Sequence, residues 1–565
     1  MLTISKFYIN ALLTKNWSLL LFEANINQDF AKIKIALSYK YFSNTLYLAI
    51  FTSKRTLHYF KGYKMHLLYR ATLLFLLCAI TSEANMSNNK VKRQLKNNMV
   101  EVYSVLPPSA QSIDEIFTQG MFYGRLRMNS FMWDWKETDN NVNKNHNAFA
   151  LGGSVIYKTA PMDGLSATAG IYYSDSPFSG LRPSQEDVQK GYVRAAKDTF
   201  SRNNVIDDND YSMFSLAQAN LQYNYKKTSF IAGRQLYESL MTSANDTKMI
   251  PNSFEGFSIA SREVPHTIVR GAYFYAQKLR DHTGFHDLIT YDSASGNIFK
   301  NQDDAAVHKG LSYANFTAAG KKTDHELILA DIKNKSFKDV QVDFHYAHVP
   351  EILTTLTAEV NFIIQVSSDL SITPGVRYMR QIDNGGGAIG GASVDGSLAH
   401  WKNGESTNGY TNPKSLDSSM AMGRLLIKKG PFITQIAYSQ VADEADFVAP
   451  WRGFPTAGYT RAIGQYNWNA NAKTKSAEIF YDFSKYVIIP GFSALARYAE
   501  QDFDESKHAA NMQTDSKVWH LDFRQHLTAA LNAKVRVGLI DAQRRQSGED
   551  LDSYNEYRFE VNYLF

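Results

Sequence analysis

Residues 556–565 read EYRFEVNYLF, and the alternation in this stretch decides the fold. Successive side chains of an extended chain point to opposite faces, so Tyr557, Phe559, Val561, Tyr563 and Phe565 share one face and Glu556, Arg558, Glu560 and Asn562 the other. The same division recurs upstream. Leu356, Ala358, Val360, Phe362 and Ile364 alternate with Thr355, Thr357, Glu359, Asn361 and Ile363, and similar stretches occupy 165–173, 212–225, 338–348, 516–526 and 531–542. A period of two, each run bounded by polar breaks, is the period of strands.

The runs are nearer ten residues than the five or six usual in a soluble β-sandwich, and about 9 to 11 tilted residues cross a hydrocarbon core. Aromatic residues gather towards the ends of the runs, at Trp133 and Trp135, Tyr172 and Tyr173, Tyr223 and Tyr225, Tyr273 and Tyr275, and Tyr563 and Phe565, where interfacial girdles need them. A sheet in lipid has to close, because an open edge leaves backbone groups without partners. Short breaks at 160–164, 226–227, 367–369, 428–430 and 528–530 alternate with long ones at 174–210, 238–253, 279–323, 381–417, 441–472 and 502–515. This is the outer-membrane arrangement of short turns at one end and long loops at the other. The expectation is an all-β chain, a transmembrane antiparallel β-barrel over 118–565 of about 18 strands, an even number as in bacterial barrels. The evenness assigns Gly310–Ala319 to a loop and lets Glu326–Ile332 span. Ser112–Thr118 reads as a short capped helix within a periplasmic lead, 85–117, whose first part, to 111, is expected to be flexible.

Composition excludes several classes. With 44% hydrophobic residues and 13% aromatic ones in 565, the chain is not disordered. Past residue 84 no run of 18 apolar residues occurs, which excludes a helical multi-span protein but not a barrel. Residues 65–84, MHLLYRATLLFLLCAITSEA, carry Arg70, an apolar run from Ala71 to Ile80 and a small-x-small site at Ser82-Glu83-Ala84, the layout of a signal peptide. A lipoprotein signal fits less well, since Leu77 precedes Cys78 where a small residue is usual. Residues 1–64 then read as sequence upstream of an initiator at Met65, or as an unstructured extension. Without residues 1–84 the net charge of +5 disappears, leaving 50 basic against 52 acidic side chains, so charge gives no argument for nucleic acid. Cys78, the single cysteine, belongs to the same leader, so the remaining chain has no thiol for a disulfide or a metal.

At this strand number side chains do not fill the lumen, and an aqueous pore follows. The long connection within 233–256, GRQLYESLMTSANDTKMIPNSFEG, carries Ser239, Ser243, Asn245, Asp246 and Lys248; folded inward, it would set these groups in the permeation path. A surface loop is the other reading. Parity places Arg125, Arg127, Arg377, Arg497, Arg524, Lys534 and Arg536 on lumenal faces, with His520 and Arg558, because a cation on the lipid face costs about 2–4 kcal/mol at mid-membrane. They either guide anionic solutes or pair with lumenal Glu359, Asp522, Glu556 and Glu560 and stiffen the wall. No GxSxG, HExxH, Walker or paired-cysteine motif is present. His345 and His348 fall on opposite faces, and Asp207, Asp208 and Asp210 lack EF-hand spacing. No cofactor, metal or catalytic residue is implied.

The stretch Gly233–Gly256, with GRQ, Asn245-Asp246 and the Pro-Asn-x-Phe-Glu-Gly ending, resembles the third-loop region of OprD-type outer-membrane porins, substrate-specific channels favouring carboxylate-bearing solutes. Tyr481-Asp482-Phe483 with Pro490-Gly491-Phe492 and Arg497-Tyr498 is similar to their C-terminal part, and 112–127, SIDEIFTQGMFYGRLR, to their mature start. The resemblance covers 112–565 and departs from the family in the long loops 381–417 and 441–472 and in the front extension. It implies an 18-stranded outer-membrane barrel that can form a homotrimer, a third loop making the constriction with Ser239, Ser243, Asn245 and Asp246, and a basic ladder on the wall. Small solutes such as amino acids, short peptides and other carboxylates would diffuse passively. The terminal Phe565 resembles the signal read by the barrel-assembly machinery. A barrel hydrolase and an adhesin are the alternatives; some 30 residues ahead of the first strand leave no room for a receptor plug domain.

Overall fold

A computed structural model describes residues 3–14, 17–27, 31–40 and 45–52 and, from 93 onward, all but 104, 138–144, 191–198, 291–306, 487–488, 511 and 547. The chain divides into two units, Met1–Ile80 and Thr81–Phe565. In the first, Thr3–Thr14, Trp17–Asn27, Ala31–Lys40 and Thr45–Thr52 pair in sequence order as a four-stranded antiparallel sheet. These stretches are rich in the Ile, Tyr and Phe that suit strands. The leader 65–84 lies outside the described residues.

The second unit is a closed antiparallel barrel. Its strands are β1 (Met121–Trp135), β2 (His146–Lys158), β3 (Leu165–Asp175), β4 (Ser212–Tyr225), β5 (Thr228–Gln235), β6 (Ser253–Ser261), β7 (Thr267–Lys278), β8 (Leu327–Asn334) and β9 (Val340–Val349). There follow β10 (Leu353–Phe362, resumed at Ile364–Gln365), β11 (Leu370–Asp383), β12 (Ser418–Lys429), β13 (Phe432–Val441), β14 (Lys473–Asp482), β15 (Phe492–Asp502), β16 (Ser516–His526), β17 (Leu531–Ala542) and β18 (Tyr554–Leu564). The seam is a β18–β1 ladder pairing Arg558 with Phe131 and Asn562 with Arg127. The even count, the strand at 327–334 and the loop status of 310–319 agree with the sequence expectation; that loop holds a one-turn helix, Tyr313–Ala318.

Parity sorts the wall as expected. On β10, Leu356 and Phe362 are 44% and 48% exposed on the outer face, while Thr355 and Glu359 are 1% and 5% exposed within. Tyr223, Tyr225, Tyr273 and Tyr275 are exposed at strand ends, as a girdle requires. Trp133, Trp135, Tyr172 and Phe565 correct that expectation: all four are buried, and Trp133 stacks on Tyr554 with ring centroids 4.4 Å apart.

The apolar core sits where loops fold into the loop-bearing end. Tyr237 and Met241, Leu288 and Leu311, Leu398 and Tyr410, and Phe447, Trp451 and Phe454 come from four different loops and join one buried cluster. Their burial drives the loops inward rather than out into water. Asp446 fixes the arrangement, accepting from the Tyr410 hydroxyl at 3.0 Å and from the N–H groups of Val394 and Ala470 at 3.0 and 2.7 Å. At the other end α1 (Ile113–Thr118) forms as expected, with Ser112 as its N-cap, and Ala160 N–H donates to the Ile116 carbonyl at 2.9 Å.

Candidate functional site

Loop 3, residues 236–252, joins β5 to β6. At its foot Gly233 and Gly256 are cross-strand partners with φ of +110° and +151°, a conformation that glycine alone adopts without strain. Glu238 organises the loop. Its carboxylate accepts from Ala244 N–H at 2.7 Å, the Ser243 hydroxyl at 3.1 Å and the Asn98 side-chain amide at 2.8 Å. Burial pushes this carboxyl up, and the three donors oppose the shift. Ser239 accepts from the N–H groups of Met241 and Thr242, at 3.2 and 3.1 Å, so its hydroxyl serves the loop's own turn.

Four alternate residues of β1 hold the next stretch of the loop against the wall. Arg125 and Arg127 both bond the Asp246 carboxylate, Arg127 Nη1 at 2.7 Å, and Arg127 also donates to the Asp246 carbonyl at 2.9 Å and to Glu560 at 2.8 Å. Asn129 donates to the Lys248 carbonyl at 2.6 Å, and the Lys248 ammonium stands 4.2 Å from the centre of the Phe131 ring. The strand's two-residue period thus becomes a row of anchors along 246–248. Arg125 and Arg127, expected in a ladder on the open wall, are instead fully buried behind the loop.

Facing loop 3, the wall of β14 to β18 and the inward-folded loop 442–472 enclose a cavity of about 600 Å³. Asp522 is its electrostatic centre. It receives Arg536 at 2.6 and 2.9 Å and His520 Nε2 at 3.0 Å, and lies 3.5 Å from Lys534 and 3.6 Å from Arg524. Arg497 pairs with Glu478 and donates to the Arg461 carbonyl. Arg280 reaches in from the loop after β7, donating to Thr247 Oγ1 at 2.9 Å. Among the described residues lining the cavity are Lys248, Arg280, Arg461, Arg497, Arg524, Arg536 and Arg558, against the carboxylates Glu478 and Asp522. Burial pushes the Arg461 guanidinium down, and the like charges of Arg497, Arg536 and Arg280 push it further the same way, so an anion arriving here relieves a repulsion.

Of the sequence-derived residues, Ser243, Asn245, Lys248, Arg497, Arg524 and Arg536 line this cavity; Ser239, Asp246, Arg125, Arg127, Arg377 and Lys534 do not. Each lumenal carboxylate read as a pairing partner has its cation: Arg377 bonds Glu359 at 2.7 Å, Arg127 bonds Glu560, Arg558 bonds Glu556, and Asp522 takes its cluster. Arg377 also donates to the carbonyls of Pro455 and Ala457 at 2.9 and 3.0 Å, which positions the loop that carries Arg461. Sequence reading missed Arg461, Arg280 and Glu238 because parity ranks strand residues only. The one available signal was the apolar run 447–454, FVAPWRGF, unusual in an exposed loop.

The family model for the outer membrane porin, OprD family, matches residues 194–565, more than half of the chain. The chain belongs to the OprD family of outer-membrane porins. No curated protein matches it. Among solved structures, the porin is similar to Pseudomonas aeruginosa OccK8 (OprE), at 14% identity and a TM-score of 0.56, covering 79% of this chain and 98% of that one. It is similar to Acinetobacter baumannii OccAB3, at 14% identity and a TM-score of 0.55, covering 79% and 99%, and to Pseudomonas aeruginosa OpdK solved with vanillate, at 14% and 0.54, covering 79% and 98%. At such identities the likeness is one of fold. The porin crosses the bacterial outer membrane as an 18-stranded barrel, its short turns periplasmic and its long loops extracellular.

Proposed function

We propose that this porin passes small hydrophilic anions, carboxylate-bearing amino acids and short peptides among them, by passive diffusion past loop 3, without breaking a bond and without a cofactor. The observation that carries the reading is the excess of cations lining the cavity, seven against two carboxylates among the described residues. Fixed positive charge in a low-dielectric lumen favours anions over cations, as charged rings do in other pores. The similar OpdK was solved with vanillate, itself a carboxylate, which supports the class but names no solute for this chain. Loop 3 contributes Ser243, Asn245 and Lys248 to the narrow part, and Arg497, Arg524 and Arg536 form the guiding wall, with Arg461 facing them from its loop. Assembly through recognition of Phe565 and a homotrimeric state belong to the same proposal. Native mass spectrometry of the detergent-extracted porin checks the trimer, and the outer-membrane yield of a chain lacking Phe565 checks the signal.

The test is single-channel recording in a planar bilayer under a salt gradient. The expected reversal potential is that of an anion-preferring pore, with block by some added carboxylates. Neutralising Arg524 and Arg536 to glutamine should lower anion preference more than conductance. Unchanged ion selectivity in that variant would leave the two arginines as structural partners of Asp522 alone.

A further inference from the structure

The lead expected to be flexible is, over 93–103, a hairpin. Arg93–Leu95 pairs antiparallel with Glu101–Tyr103, and Lys96 N–H donates to the Val100 carbonyl across a turn made by Asn97 and Asn98. Met99 and Val100 are buried. From the hairpin the chain returns to the periplasmic end, where Ala110 N–H donates to the Pro161 carbonyl in the turn after β2, so the hairpin enters the barrel from below.

Its contacts are with the constriction machinery. On one side Glu101 accepts from the Ser154 hydroxyl on β2 at 3.2 Å, and Tyr103 stacks on Tyr123 of β1 with centroids 5.1 Å apart. On the other, Arg524 of β16 donates to the Asn97 side-chain carbonyl at 2.9 Å. Between these contacts the Asn98 amide donates to Glu238, the residue that organises loop 3. Arg125, which holds Asp246, also donates to the Met99 carbonyl at 2.8 Å. Asn97 and Asn98 line the same cavity as Arg497 and Arg536.

We propose that the hairpin 93–103 is a second constriction element of this porin: it lies along the lumenal side of the wall from β2 round through β1 to β16, sets part of the pore's cross-section with Asn97 and Asn98, and braces loop 3 through Glu238. The inference rests on the porin function and not on which solutes pass, so its test reads accessibility and current rather than ion preference. The first variant is Asn97→Cys in a Cys78→Ala background, which leaves one thiol in the chain. A membrane-impermeant methanethiosulfonate bearing a sulfonate, added to open single channels, should attach there and reduce the current in a step, while the Cys78→Ala control is unaffected. The second variant lacks residues 93–103, and its conductance should rise roughly twofold as the lumen widens. An Asn97→Cys channel that conducts normally and ignores the reagent overturns the proposal, whether or not the deletion folds. A folded deletion variant with the parent's conductance overturns it equally.

Discussion

Asp246 shows what a single side chain does in this pore. It sits between Arg125 and Arg127, all three buried, and the pairing ties loop 3 to the first strand. Removing one partner of such a cluster leaves uncompensated buried charge, a loss of about 3–5 kcal/mol. Asp246→Ala should therefore lower the thermal midpoint of the folded barrel in detergent, read by heat-modifiable gel mobility, and should give larger and noisier single-channel currents as the loop comes away from the wall. Loss of stability with unchanged currents would show that Asp246 supports the wall and not the constriction. Asp246 was legible as a loop-3 residue because the Asn-Asp pair stands out in a polar stretch. Its partners were legible only as lumenal cations, since parity gives a side chain's face but not the loop that folds onto it.

Among the elements, loop 3 depends on the two glycines at its foot. Gly256 has no room for a side chain: an added Cβ would stand 2.1 Å from the Tyr273 carbonyl oxygen and 2.9 Å from the Phe274 Cα, both backbone atoms. At a positive φ, strain adds to that clash. Gly256→Ala should cost at least about 1–3 kcal/mol and displace the start of β6. Folded yield together with a changed conductance would report it; a variant with the parent's midpoint and current would remove the glycine pair from the account. The same scale explains why strands were easy to read and loops were not. Each strand carries its own signal, a two-residue period over about ten residues, so 212–225, 516–526 and 531–542 were found to the residue. A loop carries none. Trp451, Phe454 and Tyr410 gain a meaning only when several loops meet in one buried cluster.

For the whole molecule, closure is the governing fact: once the β18–β1 ladder forms, no edge is left and the lumen exists whatever fills it. Chain then narrows the lumen, from loop 3, from the loop that carries Arg461, and from the hairpin 93–103. The hairpin has to be delivered to the periplasmic end with the chain, which bears on processing. With cleavage after Ala84, the exported protein should begin at Asn85, eight residues before the hairpin, and N-terminal sequencing of outer-membrane material checks it. A mature terminus upstream of Met65 would overturn the leader reading, and one at or before residue 3 would show that the four-stranded unit at 3–52 is exported with the barrel.

The sequence by itself determined the alternating strands, which face of each meets lipid, and which end bears the loops, while their even number came from the general rule for bacterial barrels. The strands and their faces follow from one local rule, that apolar side chains in a membrane-spanning strand recur every second residue, and the loop end follows from the lengths of the breaks between them. The motif at 233–256 located the third loop by the same local means. Tertiary structure alone decided which cations line the cavity and which lie buried behind the loops, that Trp133 and Trp135 turn inward, and that 93–103 lies against loop 3. Those outcomes depend on partners far apart in sequence, Asn98 with Glu238 or Arg127 with Glu560, and no periodicity in a single segment encodes a contact between two.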